Sequence, residues 1–248
     1  MSAGLRCRAL VRAELAAGAT RFTTLRSGPP VTLRATAGGM LYLAASAAGP
    51  LGGDEVDVEV EVGAGARLEV RTVAATLLLP GPGDAPSTTT QQVTVGEGAE
   101  LHWLPEPAVA VRGCDHRTVT RIDLAAGARL LWREEVLLGR HGEKGGSVLQ
   151  RLHIDRAGAP LLRTEHAIGT RWPGSEGPAG SGGWRAVGVV VLVGAEPASM
   201  EAAVAPPGGE AVVAWCPLGT DAGLVSAVAK GARALAAALD GAVRRCGA

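Results

Sequence analysis

Residues 56–70 read VDVEVEVGAGARLEV. Val56, Val58, Val60 and Val62 alternate with Asp57, Glu59 and Glu61. A period of two places the valines on one face and the acids on the other, which is a strand with one dry and one wet side. Gly63-Ala64-Gly65 then breaks the pattern, and Leu68 and Val70 resume it in a second strand.

The second half of that stretch recurs. GARLEV (65–70) returns as GAELHW (98–103) and GARLLW (127–132), each preceded by an alternating segment, VTV (93–95) and TVTRIDL (118–124). Related copies are ELAAGATRF (14–22) and LHIDRAGAPLLRTE (152–165). The turn glycines Gly18, Gly65, Gly98, Gly127 and Gly158 are 47, 33, 29 and 31 residues apart. Glycine suits a turn position with positive φ, and all five copies read as strand–turn–strand units. Such units cannot bury their own apolar faces alone, so they must stack. The expected fold is mainly β: a stacked, β-helix-like two-layer architecture with a small C-terminal helical part. The irregular periods leave an ordinary β-sandwich as the alternative.

Residues 1–170 form the repeated β-layer core in this reading. Residues 171–185, containing WPGSEGPAGSGGW, are a Gly/Pro-rich loop expected to be mobile, and 79–91 (LPGPGDAPSTTTQ) read as a second loop. Residues 186–248 supply terminal strands, 189–193 and AVVAW (211–215), and a helix packed on the same domain. Leu224, Val228, Ala232, Leu235, Leu239 and Val243 follow three/four spacing, which predicts one apolar helix stripe. Thr220 or Asp221 would cap it, Arg244 and Arg245 suit its C-terminal dipole, and Gly247 lies beyond. Leu224, Val228, Leu235 and Leu239 are candidate partner contacts. Their plainer role is to cover the core.

Composition narrows the function classes. With 24 basic and 24 acidic residues there is no electrostatic footprint for nucleic acid. The longest apolar run, AVGVVVLVG (186–194), is too short to span a membrane. Basic residues near the N-terminus are not followed by an apolar segment, so no secretory signal is read there. Cys7, Cys114, Cys216 and Cys246 show no framework spacing, which favours a reducing, cytoplasmic setting.

No phosphate-binding, zinc-protease or nucleophile-elbow motif occurs. Cys114, Asp115 and His116 combine thiolate, carboxylate and imidazole, a set that could hold a borderline metal such as nickel. Adjacent strand residues point to opposite faces, so convergence needs a turn, and a polar turn is the simpler reading. GRHGEKGG (139–146) gathers Arg140, His141, Glu143 and Lys144 in a Gly-rich loop. Gly52-Gly53-Asp54 is an ordinary turn signature.

Taken together, PLGGDEVDVEVEVGAGARLEVRTVAAT (50–76), GAELHWLPEPAVAVRGC (98–114) and LAAGARLLWREEVLLGRHGE (124–143) resemble the urease accessory protein family UreD. The carrying motifs are Gly52-Gly53-Asp54, residues 72–76, Trp103-Leu104-Pro105-Glu106-Pro107, and Gly139-Arg140 through Glu143. The chain departs from the family pattern at Val73, at Leu77-Leu78-Leu79 and at Lys144-Gly145-Gly146. The resemblance implies a non-enzymatic scaffold with a β-helix-like fold that binds urease apoprotein and UreF, and through UreF the GTPase UreG. It further implies a transient nickel ion, routed through an internal passage, and no tightly bound cofactor. Asp54 and Glu143 are then the lead nickel-relay candidates, with Glu134 and Glu135 secondary. Cys114, Asp115, His116 and His141 are weaker metal candidates. Two other classes stand beside this one. A carbohydrate-active enzyme on a β-helix would call for aromatic platforms, whereas only seven aromatic residues are present. A nickel storage or sensor protein would require tight binding.

Overall fold

A computed structural model describes residues 4–195 and 209–245. Cys246 and Gly247 lie outside the described residues. The strands are β1 (Arg6–Ala16), β2 (Ala19–Arg26), β3 (Val31–Thr36), β4 (Met40–Ala45), β5 (Glu55–Val62), β6 (Arg67–Thr72), β7 (Thr76–Leu78), β8 (Ser87–Val95) and β9 (Glu100–Leu104). They continue as β10 (Ala108–Ala110), β11 (Asp115–Leu124), β12 (Arg129–Leu138), β13 (Ser147–Arg156), β14 (Ala159–Ile168), β15 (Ala186–Val193), β16 (Ala211–Pro217) and β17 (Ala222–Ala229), followed by helix α1 (Ala232–Arg245).

Two sheets face each other. One has seven strands in the order β14-β13-β11-β8-β5-β1-β2. The other runs β16-β17-β15-β12-β9-β6-β4-β3. The middle strands are parallel: β1, β5, β8, β11 and β13 in the first sheet, and β4, β6, β9 and β12 in the second. Parallel neighbours joined through the opposite sheet make successive coils, so the chain is a two-layer β-solenoid and not an antiparallel sandwich.

The five Gly-Ala copies divide into two kinds. Gly65, Gly98 and Gly127 have positive φ and turn the chain from one sheet to the other. The first and last copies are true hairpins, β1–β2 and β13–β14, with positive φ at both central residues, Ala17-Gly18 and Ala157-Gly158. Two positive-φ residues give the turn whose twist matches a two-residue hairpin. Antiparallel pairs thus close both ends of the parallel stack: β1–β2 and β3–β4 at one end, β13–β14 and β15–β17–β16 at the other. Capped ends suit a solenoid, because an open coil presents an unpaired edge.

In-register stacking aligns inward residues from coil to coil. Val11, Val60, Val93, Ile122 and Ile154 form one such row, all buried. Across from it, Trp103 and Trp132 stack with ring centroids 4.8 Å apart, and Trp132 is wholly buried. Offset aromatic stacking adds to what burial alone contributes.

Two expectations change. LPGPGDAPSTTTQ is a loop only to residue 86, because Ser87 opens β8. The helix begins at Ala232, so Leu224 and Val228 lie in strand β17 and Thr220 and Asp221 are not its cap. Asp221 instead pairs with Arg156, which holds both carboxylate oxygens at 2.8 and 2.7 Å. A spacing of four fits both a strand face and a helix face, so Leu224 and Val228 alone could not separate the two periods. Leu235 and Leu239 are on the helix, but both are fully buried against β15 and β17, so neither forms a free partner surface. Gly188 permits this close approach: a Cβ there would sit 2.9 Å from Leu239 Cδ1. Residues 172–184 fold into a run of closed turns in which Ser181 is buried.

Leu239→Ala is expected to destabilise the chain by about 2–5 kcal/mol through the cavity it leaves. Urea denaturation followed by circular dichroism measures this.

Candidate functional site

The second sheet is interrupted. β6 and β9 each stop, and the short strands β7 and β10 resume after residues 73–75 and 105–107. Pro105 and Pro107 cannot donate to a ladder, which favours a break at Leu104-Pro105-Glu106-Pro107. β12 runs unbroken past this gap, pairing with β9 up to Trp132 and with β10 from Val136. Glu134 and Glu135 sit on the intervening stretch.

Beneath the break lies a cavity of about 450 Å3 between the sheets. Residues 72–76 and Trp103, Pro105 and Glu106 line it, so two of the motifs that carry the family resemblance build its wall. Val73, 64% exposed, and Leu77, 41% exposed, stand at its rim.

On the opposite wall the inward rows of the first sheet turn polar. Thr89, Thr118, Gln150 and His166 are successive register partners on β8, β11, β13 and β14. Gln91, Thr120 and Thr164 belong to the adjacent row, which Leu152 interrupts. The result is a polar track running across the coils.

Glu134 reaches into this track from β12. Its Oε1 accepts from Trp132 Nε1 at 2.9 Å and from Thr120 Oγ1 at 3.4 Å, and Thr120 also donates to Gln91 Oε1 at 2.9 Å. Its Oε2 accepts from Gln150 Nε2 at 3.0 Å. All three donors are neutral. The surface that Glu134 retains faces the cavity, and burial pushes its carboxyl above the usual glutamate range. Glu135 points the other way. Burial raises its carboxyl, while Arg133 at 2.5 Å opposes the shift, and Arg133 also reaches Asp240 of α1 at 2.6 Å.

The lead acids are placed elsewhere. Asp54 is buried and accepts from the backbone N–H groups of Leu5 and Leu51, each at 2.8 Å, so it ties the first strand to a turn. Glu143 accepts from Arg140 Nε at 2.9 Å, from Arg140 NH2 at 3.1 Å and from the Arg140 backbone N–H at 3.0 Å. Those bonds hold its carboxyl down at about 2. Arg185 fastens the same loop through the carbonyls of Leu138, Arg140 and Glu143. Neither Asp54 nor Glu143 lines the cavity.

Cys114, Asp115 and His116 do not converge. Cys114 is buried near the Ser147 carbonyl, with its thiol pushed up to about 11 by burial. Asp115 pairs with Arg171 at 3.1 Å. His116 is buried, shares a 2.8 Å hydrogen bond with Ser87 Oγ, and is pushed down to about 4 by desolvation. His141 is exposed in its loop. Among the described residues no three His, Cys, Asp or Glu side chains gather as a metal site.

The track itself was missed in the sequence, although a signal existed. In β8 and β11 the inward positions are polar in the first half, Ser87, Thr89, Gln91 and His116, Thr118, Thr120. They are apolar in the second half, Val93, Val95 and Ile122, Leu124.

Two pH-dependent outcomes follow from these environments. Arg140→Ala should raise the Glu143 pKa from about 2 toward the model-compound 4.5, read by carbon-13 chemical shifts. His116 is held neutral in the fold, so between about pH 6.5 and 4 the unfolded chain binds the extra proton. Stability therefore falls on acidification through that window, by up to roughly 3 kcal/mol from this residue. His116→Asn should flatten that part of a chemical-denaturation pH profile.

The family model for UreD urease accessory protein matches residues 6–246. A urease accessory protein UreD of Parafrankia sp. is 42% identical, with 95% of this chain and 87% of that one covered. Urease accessory protein UreD 3 of Streptomyces griseus is 44% identical over 91% of this chain and 90% of its own. The UreD of Frankia alni is 41% identical, covering 91% and 83%. With a whole-length family match and relatives above 40% identity, the chain belongs to the UreD family of urease accessory proteins.

Proposed function

We infer that the chain is a non-enzymatic scaffold of urease maturation, which binds urease apoprotein and UreF, engages UreG through UreF, and conducts a nickel ion through its interior in the cytoplasm. The observation that carries the conducting role is Glu134: a half-buried carboxylate on a polar track, held by three neutral donors, in a cavity with room for a hydrated ion. A cation there meets one anionic oxygen pair plus neutral hydroxyl, amide and imidazole groups. These are weak, exchangeable contacts for a divalent ion. A tight cage would retain the cargo.

Nickel is the substrate of this path. Buried His116 and half-buried His166, both pushed down by desolvation and so neutral, offer imidazole nitrogens suited to a borderline metal, His116 two residues before Thr118 on β11 and His166 opposite Gln150. The scaffold role follows from what the relatives are named, urease accessory proteins. Asp54 supports it indirectly, by fixing the turn at Leu51 that follows Gly49 and Pro50 of the cavity wall.

Glu134→Gln keeps the shape and removes the charge. Urease activation, reconstituted with apo-urease, nickel, GTP and the partner proteins, should fall by about tenfold or more. Because a raised carboxyl pKa makes the ionised group unfavourable in the fold above about pH 4.5, the same variant should be at least as stable as the parent at pH 7. Wild-type activation by Glu134→Gln would refute conduction past this residue. Calorimetric titration of the isolated chain with nickel should show no site of micromolar or tighter affinity, and such a site would favour storage or sensing.

A further inference from the structure

Glu134 and Gln150 line two spaces at once. One is the large cavity. The other is a chamber of about 20 Å3, bounded also by Leu152, Thr164, His166 and β15 around Gly188. That volume holds about one water molecule. The two spaces are divided by the hydrogen bond from Gln150 Nε2 to Glu134 Oε2 at 3.0 Å.

The bonding of the carboxylate is lopsided. Oε1 accepts from both Trp132 and Thr120, whereas among the described residues Gln150 is the one side chain that donates to Oε2. An arriving cation is therefore offered Oε2, and its competitor is the Gln150 amide. A divalent ion at Oε2 repels the positively polarised N–H hydrogens of that amide. The terminal torsion of glutamine is broad and nearly two-fold, so the amide turns over easily. Turning over replaces NH2 with a carbonyl oxygen, which is an oxygen ligand for the same ion. Gln150 and His166 are cross-strand partners on β13 and β14, so the imidazole stands next in line, on the small-chamber side.

We propose that Gln150 is a cation-operated gate: it closes the partition by donating to Glu134, and opens it by turning its carbonyl oxygen toward a divalent ion bound at Oε2, passing that ion to the chamber at His166. This rests on the reading that nickel travels through the cavity. Gln150 is a positioning and specificity residue in this scheme. An ion that prefers oxygen and nitrogen ligands is accepted, while a monovalent ion exerts less pull on the amide.

The test uses the full chain with its urease partners. Gln150→Met keeps the length and has no oxygen to offer, so activation should fall about tenfold, with co-purification of the partners retained and the thermal midpoint lowered by no more than the few degrees expected from the lost hydrogen bond to Glu134. Gln150→Glu cannot donate to Glu134 and adds a second anionic oxygen beside it, so this variant should retain nickel and activation should stay low. A second readout is nickel quenching of Trp132 emission, obtained as the difference between the parent and Trp132→Phe. Quenching should persist in Gln150→Met, because the ion still reaches Glu134 and fails only to pass. Wild-type activation by Gln150→Met, or by Gln150→Glu, overturns the gate. Where Glu134→Gln is inactive and Gln150→Met is normal, the gate alone falls. Where Glu134→Gln activates normally, conduction falls with it.

Discussion

Parallel strands in register stack each inward side chain on its counterpart in the next coil, and everything inside this molecule follows from that geometry. Neighbouring coils therefore tend to share the character of a row, and where a polar row meets Val56, Val58 or Leu152 its side chains bond along the row or face the cavity. Val11, Val60, Val93, Ile122 and Ile154 share hydrocarbon. Thr89, Thr118, Gln150 and His166 share polar groups. The same geometry brings Trp103 over Trp132 at 4.8 Å. That stack fixes the indole whose N–H holds Glu134. One constraint thus yields a dry half that carries stability and a polar half that lines a cavity.

Glycine corners and alternation made the coil legible in the sequence. VDVEVEV (56–62) is a strand because period two leaves its valines no other common face. What the repeated Gly-Ala phrase could not disclose is whether the next strand pairs with the last or crosses to another sheet. Ala17 and Ala157 take positive φ and close hairpins; in the other three copies glycine alone does, and the chain crosses. The helix start was misread because Leu224 and Val228 are four apart, a spacing that strand and helix share. Leu235 and Leu239 read as candidate partner contacts, but an apolar stripe does not say what covers it, and here the protein's own β15 and β17 do.

The site was legible in part. The motif at Trp103–Pro107 pointed to the cavity wall for a reason visible afterwards: its prolines interrupt the sheet and open the space. Asp54 and Glu143 stood out because they are the acidic positions of the motifs that carry the family resemblance. In the fold, turn acids have unpaired backbone N–H groups within reach, and both are engaged by them. Glu134 lies in the charged run Arg133-Glu134-Glu135, and such a run inside a strand reads as surface. Only the register, which places β12 opposite the polar track, shows otherwise.

Burying a carboxylate without a cation is unfavourable, and a carboxylate kept there by neutral donors alone is worse placed for stability than a leucine of similar size. Glu135, one residue away, shows the usual remedy, with Arg133 beside it and Asp240 beyond. Among the described residues Glu134 has no cation beside it and keeps one oxygen bonded to a single amide. An arginine at Gln150 would have neutralised it and filled the partition. Its absence leaves a negative site that a mobile cation can complete for a time and then leave. The weakness of each contact is what permits passage, because an ion bound by several strong ligands at once would have no lower-energy place to go.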